Sequence, residues 1–167
     1  MTIAIEAVIK TISHLTSLHK ELLTLCKEKT DKITNSDTEG LVSLLAKERQ
    51  LVQQINRAED ERKKAVEEYC RIQQLPTENM TVTRLLESLE QSKESKFLEN
   101  KVTELIEQIV QIREQEQLNR ELLEQSMQFV QLNLEMLQPE TRQISYGKER
   151  KPSGPARQGR SVFDSKV

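Results

Sequence analysis

The sequence predicts an all-α protein: long antiparallel helices forming a coiled-coil-like helical bundle, followed by a disordered carboxy-terminal tail. Three observations carry that expectation. Apolar residues recur at alternating spacings of three and four along most of the chain, the seam pattern of packed helices. The 167 residues are 35% apolar and 31% charged but only 3% aromatic, with no Trp. That balance belongs to long amphipathic helices and argues against a sandwich, a barrel or an α/β sheet. Finally, Gly147, Gly154 and Gly159, with Pro139, Pro152 and Pro155, all fall after Gln138. A segment of that kind buries too little apolar surface to offset the entropy of ordering. The expected division is a bundle over residues 1–138 and a flexible basic tail over 139–167.

The first helix is expected over about residues 3–32. Ile5, Val8, Ile12, Leu15, His19, Leu22 and Cys26 form one heptad seam. His19 and Cys26 read as packing residues, because His14 stands five residues from His19 and no further ligand lies near enough to build a metal site. ITNSDTEGL breaks the pattern at 33–41, with Asn35, Ser36 and Asp37 as turn and N-cap residues. A second helix follows over 38–73, with Leu44, Leu51, Ile55, Ala58, Ala65, Tyr69 and Ile72 on one stripe and Arg62 as its charged member. The run RAEDERKKAVEE reads as a solvated face laced with i, i+4 pairs. Its neighbouring acids Glu59, Asp60 and Glu61 have no pocket-forming context that would make them an acid–base pair.

Pro76 in QQLPTENMT stops the second helix, and Asn79 or Thr81 caps a short one over 82–91 carrying Leu85, Leu86 and Leu89. The last helix is expected over 93–138. Its first half has one seam: Leu98, Val102, Leu105, Ile109 and Ile112. The seam then turns polar at Glu116 and Asn119, residues that weaken packing but set register. It resumes as Leu123, Ser126, Val130 and Leu137, while Leu118, Leu122, Phe129, Leu132 and Met136 form a second row beside it. About half the circumference is therefore apolar, wider than one seam needs. Either both rows are core, or one packs internally and the other, with Met127, Phe129 and Met136, is a groove for a partner helix.

Charge and cysteine content narrow the function. The net charge is −2. From Pro139 onward seven basic residues face three acids, a local +4, so residues 1–138 carry −6. An acidic body repels phosphates, which makes nucleic acid an unsuitable partner. No apolar run reaches the roughly eighteen residues of a membrane span. The first residues lack the basic and apolar regions of a signal peptide, and Cys26 and Cys70 are isolated, so a reduced cytoplasmic protein is expected. No phosphate-binding loop, nucleophile–base set or metal cluster is legible, so neither an enzyme nor a cofactor is expected.

Three stretches resemble the FlgN family of flagellar type III export chaperones. ELLTLCKEKTDKITNSDTEGLVSLLAKERQLVQQI is similar to the family's opening helix pair. NRELLEQSMQFVQLNLEMLQP is similar to its carboxy-terminal helix, with Asn119-x-x-Leu122-Leu123 at the start and Leu137-x-Pro139 at the end. SYGKERKPSGPARQGRSVFDSKV resembles the Tyr-Gly, glycine-rich, basic tail that follows. The resemblance implies a non-enzymatic cytosolic chaperone for hook-associated proteins, both junction proteins included. It would keep their helical termini from premature assembly and bring them to the export gate. It places client binding on Leu118, Leu122, Met127, Phe129, Leu132 and Met136. Gate docking falls on Tyr146 and Gly147, with Val162 and Phe163 as a second anchor. Self-association into a homodimer stays open. The competing expectation is a structural coiled-coil tether without a secreted client, which predicts that both apolar rows close on themselves.

Overall fold

The computed structural model describes residues 3–89 and 92–145, with side chains through Gln138. It contains four helices in the order α1 (Ile3–Thr34), α2 (Thr38–Gln73), α3 (Val82–Ser88) and α4 (Lys93–Ser145), and no strand among the described residues. The all-α expectation holds. None of the helices is long and apolar enough to cross a membrane.

The helix ends follow from local chemistry. After α1 the chain turns through Ser36 at φ 54, and Asp37 then caps α2, accepting the Gly40 amide at 2.9 Å. Lys32 reaches back to the same carboxylate at 2.7 Å, and these two partners hold Asp37 below the usual carboxylate range. A Cβ at Gly40 would run into the Asp37 carboxylate, so the glycine leaves room for the cap. α2 ends on Gln74 in the left-handed region, φ 56, with the Leu75 amide donating to Cys70 O at 2.9 Å. That conformation normally selects glycine. Thr81, the second of the two expected caps, starts α3 by accepting the Arg84 amide at 3.3 Å. Ser92 Oγ similarly accepts the Ser95 amide at the start of α4.

Two boundaries differ from expectation. α3 ends at Ser88, short of Gln91, because Leu89 already closes the turn onto Leu86 O at 3.2 Å. α4 runs through Pro139 to Ser145, where Gln138 was expected to be its last residue. Proline lacks a helix-bonding N–H, yet its fixed φ is helical, so it costs a helix one bond and some crowding without obliging it to stop. The remainder of the expected tail, from Tyr146 on, lies outside the described residues.

Residues up to Met127 form one compact unit. In it α1 and α2 run antiparallel: Ile5 and Val8 share a cluster with Tyr69 and Cys70 at one end, and Lys29 meets Glu48 near the turn. α4 runs parallel to α1, pairing Glu104 with Lys20 and Asn119 with Cys26. The largest cluster gathers Ala4, Ile5, Val8, Ile9 and Ile12 of α1, Tyr69 and Cys70 of α2, Leu85 of α3 and Leu98 of α4. Leu98 is fully buried, and burying such a side chain contributes about 2 kcal/mol. The Tyr69 hydroxyl meets Ser88 Oγ at 3.0 Å, so burying the ring leaves no phenol unsatisfied. A second cluster of Leu15, Leu18, Leu51 and Ala58 continues along the α1–α2 hairpin.

The predicted stripe of α2 is buried at Leu44, Leu51, Ala58 and Tyr69, but Ile72 is exposed. It stands in the last turn before Gln74 redirects the chain, and the buried position there is taken by Cys70, a residue off the expected stripe. Arg62, the stripe's charged member, is half-buried and forks onto Glu59, with Nη2–Oε1 at 2.6 Å and Nε–Oε2 at 2.9 Å. The Arg62 guanidinium holds Glu59 below the usual carboxylate range. Glu59 is thereby an ion-pair partner, in keeping with reading this acidic run as a helix face.

Candidate functional site

Above the second cluster the interior becomes polar, where the last helix was expected to carry Glu116 and Asn119 in its seam. Asn119 is 2% exposed. Its Nδ2 donates to Cys26 O at 2.9 Å, and its Oδ1 accepts the Thr30 hydroxyl at 2.6 Å. Thr30 Oγ1 in turn accepts Gln115 Nε2 at 2.6 Å. Every polar end of the buried amide is used, which is the condition for a polar layer to specify register without a large penalty.

Beside it, Lys29 lies between two helices' carboxylates. Its Nζ stands 2.9 Å from Glu48 Oε1 of α2 and 2.7 Å from Glu116 Oε1 of α4. The contact with Glu116 is an ion pair without directed hydrogen-bond geometry. Burial works against the charge on Lys29, but the two carboxylates prevail and raise its pKa. Burial likewise opposes the charge on Glu116, while Cys26, Lys29 and Asn119 hold its pKa below the ordinary value. Cys26 is pushed up to about 12, first by burial and then by donating to Glu116.

Cys26, Glu48 and Glu116 bring donor atoms within 4.8 Å of one another. The cation in this cluster is the Lys29 ammonium, which pairs with both carboxylates. The arrangement is therefore a three-helix ion-pair junction.

Past Asn119 the burial of α4 changes. Leu122 is half-buried, and every described side chain from Leu123 to Gln138 is exposed. Of the residues expected to bind a client, Leu118 is 44% exposed, Phe129 69% and Met136 76%, with Met127 and Leu132 also more than half exposed. The expectation that both rows are core is overturned. So is the narrower expectation that one row packs internally, because Leu123, Val130 and Leu137 are exposed as well. Past Leu122 the described side chains of both rows lie open to solvent. Leu134, also exposed, was missed. Its signal was present in the regular spacing 123, 127, 130, 134, 137. Tyr146, Gly147, Val162 and Phe163 lie outside the described residues.

Where the polar layer meets the surface there is a cleft of about 530 Å³. Leu41 and Leu45 of α2 form one wall, and Arg113, Arg120, Leu123 and Met127 of α4 the other. The Lys29–Glu116 pair closes its inner end.

Comparison with known proteins identifies the family. The family model described as "FlgN protein" matches residues 1–154. The chain is 28% identical over 162 residues to a Bacillus subtilis (strain 168) protein described as "Uncharacterized protein YvyG", covering 97% of this chain and 98% of that one. No solved structure matches. The chain belongs to the FlgN family, the flagellar export chaperones.

Proposed function

We propose that this FlgN-family chain is a cytoplasmic carrier for hook-associated proteins, both junction proteins included, and that it holds their amphipathic terminal helices on α4. The single observation that carries the reading is the run of exposed apolar side chains at Leu118, Met127, Phe129, Leu132 and Met136, with half-buried Leu122 beside them. A junction protein polymerises through amphipathic helices that are adhesive before export. An apolar helical face lets such a helix complete a temporary bundle. Met and Leu tolerate imperfect complementarity, which lets one surface serve two related clients.

Delivery would use a separate contact. Tyr146 and Gly147 dock on the cytoplasmic domain of the export gate, with Val162 and Phe163 as a second anchor, while α4 keeps its cargo. A linked pair of contacts raises the effective concentration of cargo at the gate without tightening either one. No chemical step is part of this role, and no cofactor is required.

The test is co-purification of the two hook-associated proteins from a lysate of the flagellated source. The wild type should retain them, and Phe129→Asp with Met136→Asp should lose them at unchanged helical circular dichroism. Retention by the double variant would remove client binding from this face. Tyr146→Ala should spare the client and weaken gate binding; equal gate affinity would dismiss Tyr146 as the docking residue. A fixed homo-oligomer that retains no junction protein would favour the tether.

A further inference from the structure

We propose that the cleft between α2 and α4 is an acid-reading extension of the client surface: it takes an amphipathic helix whose apolar stripe is bordered by two carboxylates about two helical turns apart. This rests on the client-binding reading above and adds what the client must carry. The cleft has apolar side chains on both walls, Leu41 and Leu45 on α2 and Leu123 and Met127 on α4. Arg113 and Arg120 stand along its α4 rim. Seven residues apart, they lie on one face of the helix, about 10 Å from each other along its axis.

Both arginines are exposed, and among the described residues neither side chain has an ion-pair or hydrogen-bond partner. Lys29, the cation at the inner end of the cleft, is by contrast taken up by Glu48 and Glu116. Glu124, also on the lining, stands one turn beyond Arg120 and forms no ion pair with it. Two unpaired guanidinium groups beside uncovered leucines present bidentate donors to carboxylates at the edge of an apolar contact.

Charge decides among occupants. The chain's own segment from Pro139 onward carries a local +4, which leaves it few carboxylates to offer Arg113 and Arg120. A second copy would bring its own arginines to the same place. An acid-edged helix is attracted, and the attraction supplies specificity that the apolar rows alone lack.

The experiment uses the full chain and designed helical peptides with a Leu/Ile stripe and a pair of Glu, Gln or Lys seven residues apart on its edge. Fluorescence anisotropy at low salt should rank them Glu, Gln, Lys, with about tenfold between the ends, as expected for two exposed charge pairs changed in sign. Arg113→Glu with Arg120→Glu should invert that order. Leu45→Asp, at an already exposed position, should weaken all three peptides while helicity is unchanged.

Equal binding of the three peptides, an order that survives the double reversal, or indifference to Leu45→Asp would overturn the inference. So would a change of sedimentation mass on charge reversal, which would make the cleft a self-association face. Should the peptides ignore charge while junction proteins still co-purify, the cleft inference falls and the client reading stands. Should junction proteins fail to co-purify while the peptides still sort by charge, the client reading falls and the cleft remains a receptor for acid-edged helices.

Discussion

Leu98 and Phe129 are residues of one helix, both on apolar stripes of similar spacing, yet one is fully buried and the other 69% exposed. Around Leu98 three other helices contribute apolar side chains. Around Phe129 the described residues offer no such cover. The difference teaches that periodicity marks which side of a helix is adhesive, while burial depends on whether a second surface is supplied. In the first stretch the chain supplies it. In the second, the described residues supply none, and this is the face proposed above for a client helix.

The largest expected effect would come from breaking the covered half. Leu98→Ala should destabilise the fold by about 3 kcal/mol, because the site is enclosed by four helices and cannot collapse easily. Urea unfolding measures it, and a loss below about 1 kcal/mol would mean that the cluster relaxes around the gap.

At the boundary between the two halves, Asn119→Ala should cost about 1–3 kcal/mol by removing two buried hydrogen bonds, to Cys26 O and from the Thr30 hydroxyl. The adjoining junction adds a pH signature. Glu116 has its folded pKa below the unfolded value, so its contribution is present at neutral pH and lost as pH falls through the folded pKa. Lys29 has its folded pKa raised, so its contribution persists through neutral pH and disappears only at strongly alkaline pH. Glu116→Gln should therefore flatten the acid limb of the stability profile below about pH 4.5. An acid limb as steep as in the wild type would show that other carboxylates govern it.

A smaller, opposite effect is expected at the covered end. Gln74→Gly should stabilise the protein by about 0.5–1 kcal/mol, since Gln74 sits at φ 56, where a side chain is strained. A lower melting temperature would contradict the assigned helix end. The smallest effect on stability belongs to the uncovered half. Phe129→Asp with Met136→Asp should move the melting temperature by no more than about 0.5 kcal/mol equivalent, as for exposed positions generally. A large drop would show that these residues are core in solution.

Much of the covered region was legible because its signals are local. Asp37 as a cap, the turn before it and Pro76 as a stop depend on backbone chemistry within a few residues. The seam from Ile5 to Cys26 depends on helical geometry alone. The polar positions Glu116 and Asn119 were visible as interruptions, but their partners were not, since Cys26 and Thr30 stand some ninety residues away. Ile72 is exposed and Cys70 buried because α1, α3 and α4 bring their apolar residues to the Cys70 side of the last turn of α2. Arg113 and Arg120 read as ordinary surface charges until Leu41 and Leu45 were placed opposite them. The continuation of α4 past Pro139 was missed because proline weakens a helix without forbidding it.

By itself, then, the sequence determined the helical class, the order and approximate extents of the elements, and an excess of apolar surface on the last helix. These follow from propensity, capping and a period of 3.6, all of which act between near neighbours. Only the tertiary structure decided that Leu98 is enclosed while Phe129 and Met136 are bare, that one lysine joins three helices, and that two unpaired arginines border an apolar cleft. Burial and charge pairing are properties of surfaces that meet, and which surfaces meet is settled by the packing of elements far apart along the chain.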